Sequence, residues 1–207
     1  MSHPGKEIDL GFTLERFPDS SHICLIFDNE KQRRKIVSEY LAAGIRQGEL
    51  ARFAADVTAP QQVNAWLQEL GLEPPEGNVL KVFKAESFYC PGGSFEPRQM
   101  IDAMAPRFEQ ARKDGFKGVR SCGEMSWALK GIPGSESLLK YEAMLGTVTG
   151  TFPHSGMCLY DARLFDGATL FKVLQLHPYM IAREQIVRNP YYLRPEEFMR
   201  KYDTTQT

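Results

Sequence analysis

The residues equipped for chemistry are few and far apart. His22-x-Cys24 puts two metal-ligating types on one face of a strand, because strand side chains repeat every two residues. Cys122 and Cys158 fall in other strand-like runs that could be neighbours, so a His/Cys metal site is geometrically possible. Against it, structural zinc sites usually draw ligands from closely spaced pairs in loops, and Cys24, Cys90, Cys122 and Cys158 contain no CxxC pair. The expectation is therefore no metal and no disulfide framework, with Cys24, Cys122 and Cys158 as buried free thiols. Nucleophilic catalysis needs a Ser or Cys beside a base and an oxyanion hole. No GxSxG elbow occurs, and His3, His22, His154 and His177 are scattered. His177 precedes Pro178 at a helix end, a structural position where a cation suits the dipole. No catalytic residue and no enzyme activity are expected.

One stretch could hold a ligand. Gly118 to Leu129 follows an amphipathic segment and reads as a strand entering the core, with Glu124 and Trp127 at its end. Gly123 is expected to let the backbone turn sharply there. Open α/β sheets bind ligands at strand exits. Glu124 is then either a solvated or helix-start acid, or a polar anchor in a pocket walled by Trp127. Asp28, Tyr89 and Tyr160 lie at other strand exits and complete the expected small-molecule site. As part of such a site, Glu124→Gln should leave folding nearly intact and weaken binding, whereas a purely structural Trp127 should cost much stability when truncated.

Phosphate chemistry lacks its usual parts. A P-loop wraps phosphate with glycine backbone N–H groups and follows them with Lys and Ser/Thr. The turn after the first buried run is Asp28-Asn29-Glu30-Lys31-Gln32-Arg33-Arg34, without glycine and with two acids. No GxGxxG follows a strand, so no nucleotide cofactor is expected.

The elements that must position these residues alternate. His22–Phe27 is a continuous apolar run, suited to a strand buried on both faces. Glu30–Ala43 carries a helical stripe and meets Gly44, a stop signal. A strand over 49–55, a helix over 59–70 opened by Pro60, and a loop at 74–77 repeat the unit. A strand over 79–83 leads to Ser87–Tyr89 and a turn-rich loop at 90–95. A helix over 96–113 should be kinked or divided at Pro106. Then come the strand ending at Glu124, a helix over 135–145 capped by Ser135, a strand over 157–160, a helix over 168–176 and a closing strand over 179–188. This order predicts a single α/β domain with a mostly parallel sheet covered on both faces. Residues 1–19 are expected to be a flexible lead-in, 20–199 the domain, and 200–207 a flexible tail.

Composition narrows the function classes. The 207 residues carry a formal net charge of -1 with both signs interspersed, which is not the footprint of a dedicated nucleic-acid binder. No apolar run reaches membrane-span length and no signal-peptide core is present, so a cytoplasmic location is expected.

The ordered stretches His22-Ile-Cys-Leu-Ile-Phe, Gly48-Glu49, Gly118-Val-Arg120, Gly123-Glu124-Met125-Ser-Trp127, Tyr141-Glu142, Cys158-x-Tyr160-Asp161, His177-Pro178 and Asn189-Pro-x-Tyr192 resemble the MEDS domain, the methanogen/methylotroph and dichloromethane-regulator sensory domain. The resemblance covers roughly residues 21–199. It implies a RecA/KaiC-like sheet without its phosphate loop and a role in signal transduction, perceiving a small organic molecule of hydrocarbon-derivative type. Family members commonly join this domain to a histidine kinase or a DNA-binding region, and the short stretch after Phe198 is not expected to supply one. The resemblance therefore implies action through a separate signalling protein, a histidine kinase or transcription regulator, or through homo-oligomerisation. The competing readings are an interaction module built on a degenerate RecA-like fold and, least favoured, a nucleotide hydrolase.

Overall fold

A computed structural model describes residues 6–73, 77–182 and 184–202. Its centre is a seven-stranded sheet in the order β5-β4-β6-β7-β3-β8-β9. The strands are β3 (His22–Phe27), β4 (Leu50–Ala55), β5 (Leu80–Lys84), β6 (Val119–Glu124), β7 (His154–Asp161), β8 (Tyr179–Ala182) and β9 (Gln185–Arg188). All neighbours are parallel except β8 and β9. The apolar run at β3 lies between β7 and β8, where helices cover both faces, which is why nearly every one of its side chains is buried.

One face packs against α1 (Glu30–Arg46) and α2 (Pro60–Glu69), with Ile36, Val37, Leu41, Val63 and Leu67 meeting Ile23, Leu25 and Phe53. The other face is covered by α3 (Ala85–Tyr89), α4 (Pro97–Asp102), α5 (Met104–Lys113), α6 (Leu138–Val148), α7 (Gly167–Leu176) and α8 (Pro195–Tyr202). The sheet and helix pattern is the mostly parallel α/β domain that the sequence predicts.

Several local expectations are corrected. Residues 6–19 are no loose lead-in: β1 (Glu7–Asp9) and β2 (Arg16–Pro18) pair antiparallel, and Ile8, Leu10 and Phe17 join the core against α1. The chain stays helical to Tyr202, inside the expected tail, whose last five residues lie outside the described set, as do 1–5 and residues 74–76 of the expected loop. Gly44 does not stop α1. It sits inside the helix because a methyl group there would lie 2.8 Å from the Arg120 side chain, and the turn instead uses Gly48 at φ +79. The 96–113 helix divides at Ala103 rather than at Pro106. Pro106 cannot donate to the carbonyl of Asp102 and its ring crowds it, so a new helix starts where the proline falls in its first turn. The closing strand is a hairpin, with Glu184 in the left-handed region at φ 62.

Candidate functional site

The end of β6 is a buried electrostatic clamp. Glu124 Oε1 accepts from Arg33 Nη1 at 2.6 Å and from the Thr58 hydroxyl. Oε2 accepts from the backbone N–H groups of Asp56, Val57 (2.7 Å) and Thr58 (3.3 Å). The carboxylate therefore closes the β4–α2 turn onto α1. Arg33 also pairs with Glu30 at 2.8 Å, and Glu30 with Arg163 at 2.8 Å. Asn29 caps α1 by accepting from the N–H of Gln32 at 3.0 Å. At the first strand-to-helix turn, where a P-loop protein would cradle phosphate, the chain's own side chains satisfy the helix start and one another.

Beyond this clamp the chain continues into a 3-10 turn, Met125–Leu129, that tucks Trp127 fully into the core. Trp127 stacks on Tyr89 at 4.9 Å and meets Phe95 edge-on at 4.7 Å. Gly123 is an ordinary strand residue and not a turn. It provides clearance, since a methyl group there would lie 2.2 Å from the Tyr89 hydroxyl oxygen.

A cavity of about 80 Å³ lies on the face of the sheet beneath α3 to α6. Its floor follows from the register: Arg52, Ser121 and Gly156 are partners across three strands, and Ala54, Gly123 and Cys158 form the next row. Small residues on adjacent strands leave room that the helices above do not fill. Tyr89, Met100, Met104, Phe108, Tyr141 and Leu145 form the apolar roof and walls. Arg107 and Arg52 lie over Phe88 and Phe83 at 5.0 and 5.7 Å, so the cavity also has a cationic side. His154 meets Ser121 at 2.7 Å on the floor.

Of the five residues expected to form one ligand site, Tyr89 and Trp127 are brought together as a stacked pair, but the five do not line a common cavity. Tyr89 lines the apolar cavity. Asp28 lines a separate, charged groove beside α1 and α2 with Trp66, Glu69 and Glu184. Glu124 and Trp127 line neither of these two cavities; their contacts are the clamp and the aromatic stack. Tyr160 is buried and donates to Glu142 Oε1 at 2.6 Å. The residues that sequence reasoning missed, Met100, Met104, Phe108 and Tyr141, carry only an apolar helical pattern, which core and cavity residues share.

Tyr160 leads to a second arrangement. Glu142 on α6 is fully buried among His22 of β3, Cys158 of β7 and His177 at the end of α7. His22 Nε2 lies 3.0 Å and His177 Nε2 3.5 Å from Glu142 Oε2. Cys158 Sγ lies 3.6 Å from the same oxygen and 3.5 Å from His22 Nε2. Burial alone would raise the Glu142 carboxyl, but the hydrogen bond from His22, the two imidazoles and the Tyr160 hydroxyl together bring it down to about 2. Burial, reinforced by His22, pushes His177 down to about 3, so it folds as a neutral imidazole. All four cysteines are buried and free.

His177 has a measurable consequence. Its folded pKa lies below the ordinary 6.5, so its stabilising contribution is present above pH 6.5 and is lost as pH falls toward 3. Within that window the loss is expected at up to about 1.4 kcal/mol per pH unit for this one proton. Burial pushes His154 down to about 3 as well, so urea unfolding at stepped pH should show His177→Gln reducing the slope between pH 6.5 and 4.5 without abolishing it. A wild-type profile already flat there would contradict a neutral buried His177.

The fold belongs to the RecA/KaiC-like α/β class. A KaiC-like protein of Pyrococcus horikoshii OT3 superposes with a TM-score of 0.58 at 12% identity, over 86% of this chain and 80% of its own. An uncharacterized protein of Pyrococcus horikoshii, solved with an unknown peptide, gives 0.56 at 16%, over 86% and 90%. Within that class the chain is a member of the MEDS family, the MEthanogen/methylotroph, DcmR Sensory domain, which matches residues 21–178. The transcriptional repressor DcmR of Methylorubrum extorquens (strain DSM 6343 / CIP 106787 / DM4) is 25% identical over 157 residues. The match takes in 75% of this chain and 57% of the repressor, so the chain spans little more than half the length of that relative. The family is described as a sensory domain, and the relative that this chain resembles is a transcriptional repressor. No helix among the described residues is long and apolar enough to cross a membrane.

Proposed function

We propose that this domain senses a small organic molecule, bound in the cavity between the β4-β6-β7 floor and helices α3 to α6, and passes the signal to a partner regulator. The observation that carries the reading is the cavity's size and chemistry. At about 80 Å³ it is roughly half the volume of an engineered apolar cavity that holds benzene. Its walls favour an apolar molecule of a few heavy atoms, a compact hydrocarbon derivative in keeping with the family's sensory description.

The walls also suggest how occupancy is transmitted. They come from four separate helices, with α4 and α5 joined by the break at Ala103. A ligand that bridges them favours one arrangement over others, and only such differential binding can shift a conformational equilibrium. The transmitted change would be read by a separate regulator or a second copy of the chain. We place the ligand here rather than at Glu124, because every contact of that carboxylate is already internal.

The test is calorimetric titration with dichloromethane, dimethyl sulfide and methanol as probes of apolar, thioether and hydroxyl character. Saturable binding of at least one is expected. Met104→Trp, which fills the cavity from α5, is expected to weaken that binding at least about tenfold and to cost about 1–3 kcal/mol of stability while keeping the fold, which circular dichroism checks. Binding unchanged by Met104→Trp would place the ligand elsewhere.

A further inference from the structure

We infer that His22, Glu142, Cys158 and His177 form a four-ligand binding site for a divalent transition metal of the zinc class. The assignment revises the expectation of a plain thiol at Cys158, and it goes beyond the reading of the cavity as a ligand site.

The first support is distance. A tetrahedral zinc ion with nitrogen and oxygen ligands at about 2.0–2.1 Å and sulfur at about 2.3 Å spaces its ligand atoms about 3.3 Å apart, and about 3.6 Å where sulfur is involved. The measured separations are 3.0 Å between His22 Nε2 and Glu142 Oε2, 3.5 Å between His177 Nε2 and Glu142 Oε2, 3.5 Å from Cys158 Sγ to His22 Nε2 and 3.6 Å from Cys158 Sγ to Glu142 Oε2. These are four of the six pairs; the other two, which join His177 to His22 and to Cys158, lie within 4.8 Å, a looser bound than a tetrahedral edge, so His177 would shift inward on binding. Three of the residues sit on β3, α6 and β7 and the fourth at the short α7–β8 junction, so the backbone already gathers them.

The second support is an orphaned lone pair. His177 Nδ1 lies 2.8 Å from the carbonyl oxygen of Val173, and a carbonyl can only accept, so Nδ1 carries the proton. The neutral ring then presents a bare lone pair at Nε2, fully buried, with no hydrogen-bond partner and aimed at a carboxylate oxygen 3.5 Å away. Two acceptors facing each other in a dry core is costly. A cation between them turns that repulsion into two coordinate bonds.

The surroundings fit the same reading. Metal-bound histidines usually donate their other ring N–H to a carbonyl or carboxylate, as His177 does to Val173. The Tyr160 hydroxyl holds the second Glu142 oxygen at 2.6 Å, and Asn189 Nδ2 fixes the His177 carbonyl at 2.9 Å. His22 Nδ1 has no partner among the described residues and makes this the least supported ligand. Charge also balances. One thiolate and one carboxylate neutralise a divalent ion, with both imidazoles neutral, so the filled site buries no net charge. On binding, the Cys158 thiol releases its proton and His22 takes the Nδ1–H form.

The site is closed, so metal is best supplied during refolding from urea in the presence of Co²⁺ or Zn²⁺ alone, with no organic ligand. One equivalent is expected to be retained. The cobalt form should show a near-ultraviolet thiolate-to-cobalt charge-transfer band and the intense visible bands of a tetrahedral ion. Cys158→Ser is expected to abolish the charge-transfer band, and Tyr160→Phe to weaken affinity about 10–100-fold through the carboxylate it orients. Circular dichroism shows whether each variant has folded. Tyr160→Phe keeps the test decisive should Cys158→Ser fail to fold. A folded protein that retains no metal, a six-coordinate cobalt spectrum, or retention insensitive to the variants would overturn the assignment and leave a buried His–Glu pair. Because no organic probe is present, failure here leaves the cavity reading standing.

Discussion

Glu124→Ala is expected to lower stability by about 3–5 kcal/mol, the usual cost of leaving a buried charge without its partner. Arg33 would keep Glu30, which is half exposed, and the neutral Thr58 hydroxyl, and three backbone N–H groups of the β4–α2 turn would lose their acceptor. Glu124→Gln is expected to be costly too, contrary to the sequence-based expectation of a nearly intact fold. Its amide has one acceptor oxygen and would turn an NH₂ group toward donors on one side or the other. Adding Arg33→Met to Glu124→Ala is expected to recover part of the loss, because no charge then remains unpaired. Urea denaturation gives these values. A loss below about 1 kcal/mol for Glu124→Ala would mean that the carboxylate is solvated and the clamp is not formed.

Trp127→Ala is the second large effect, expected at about 3–5 kcal/mol as a fully buried aromatic truncation. It removes the partner of the Tyr89 stack and the Phe95 edge contact at once. Trp127→Phe is expected to be far milder, since the indole N–H has no hydrogen-bond partner among the described residues to lose. Denaturation curves for the pair separate packing from polar effects. Equal losses for the two variants would contradict that separation.

How the sequence relates to these results is uneven, for physical reasons. The sheet was legible because continuous apolar runs such as His22–Phe27 have few other stable placements. The break at Ala103 was announced by Pro106 but displaced by it, since a proline disturbs the turn before itself. The reversal at Glu184 carried no signal, as neither glycine nor asparagine occupies that left-handed position.

At the sites the contrast is sharper. Glu124 and Trp127 were singled out as the anchor and wall of a pocket at a strand exit, but sequence cannot distinguish an acid facing a ligand from one facing Arg33, ninety-one residues away. His22 and Cys158 were both noticed as possible ligands. Their companions Glu142 and His177 could not be assigned, because α6 and α7 meet them only through the sheet's parallel crossovers. The small floor residues Gly123 and Gly156 had no periodic signature at all. Their meaning depends on the register that sets them side by side with Ala54 and Ser121.

The most direct test of the cavity reading is a crystal structure of the protein grown with dibromomethane, whose bromine atoms are located by anomalous scattering. The account predicts bromine density inside the cavity, between Tyr89, Met104 and Phe108 and above Gly123 and Gly156. Bromine found only in the groove beside Asp28 or at the surface, with this cavity left without it, would contradict it.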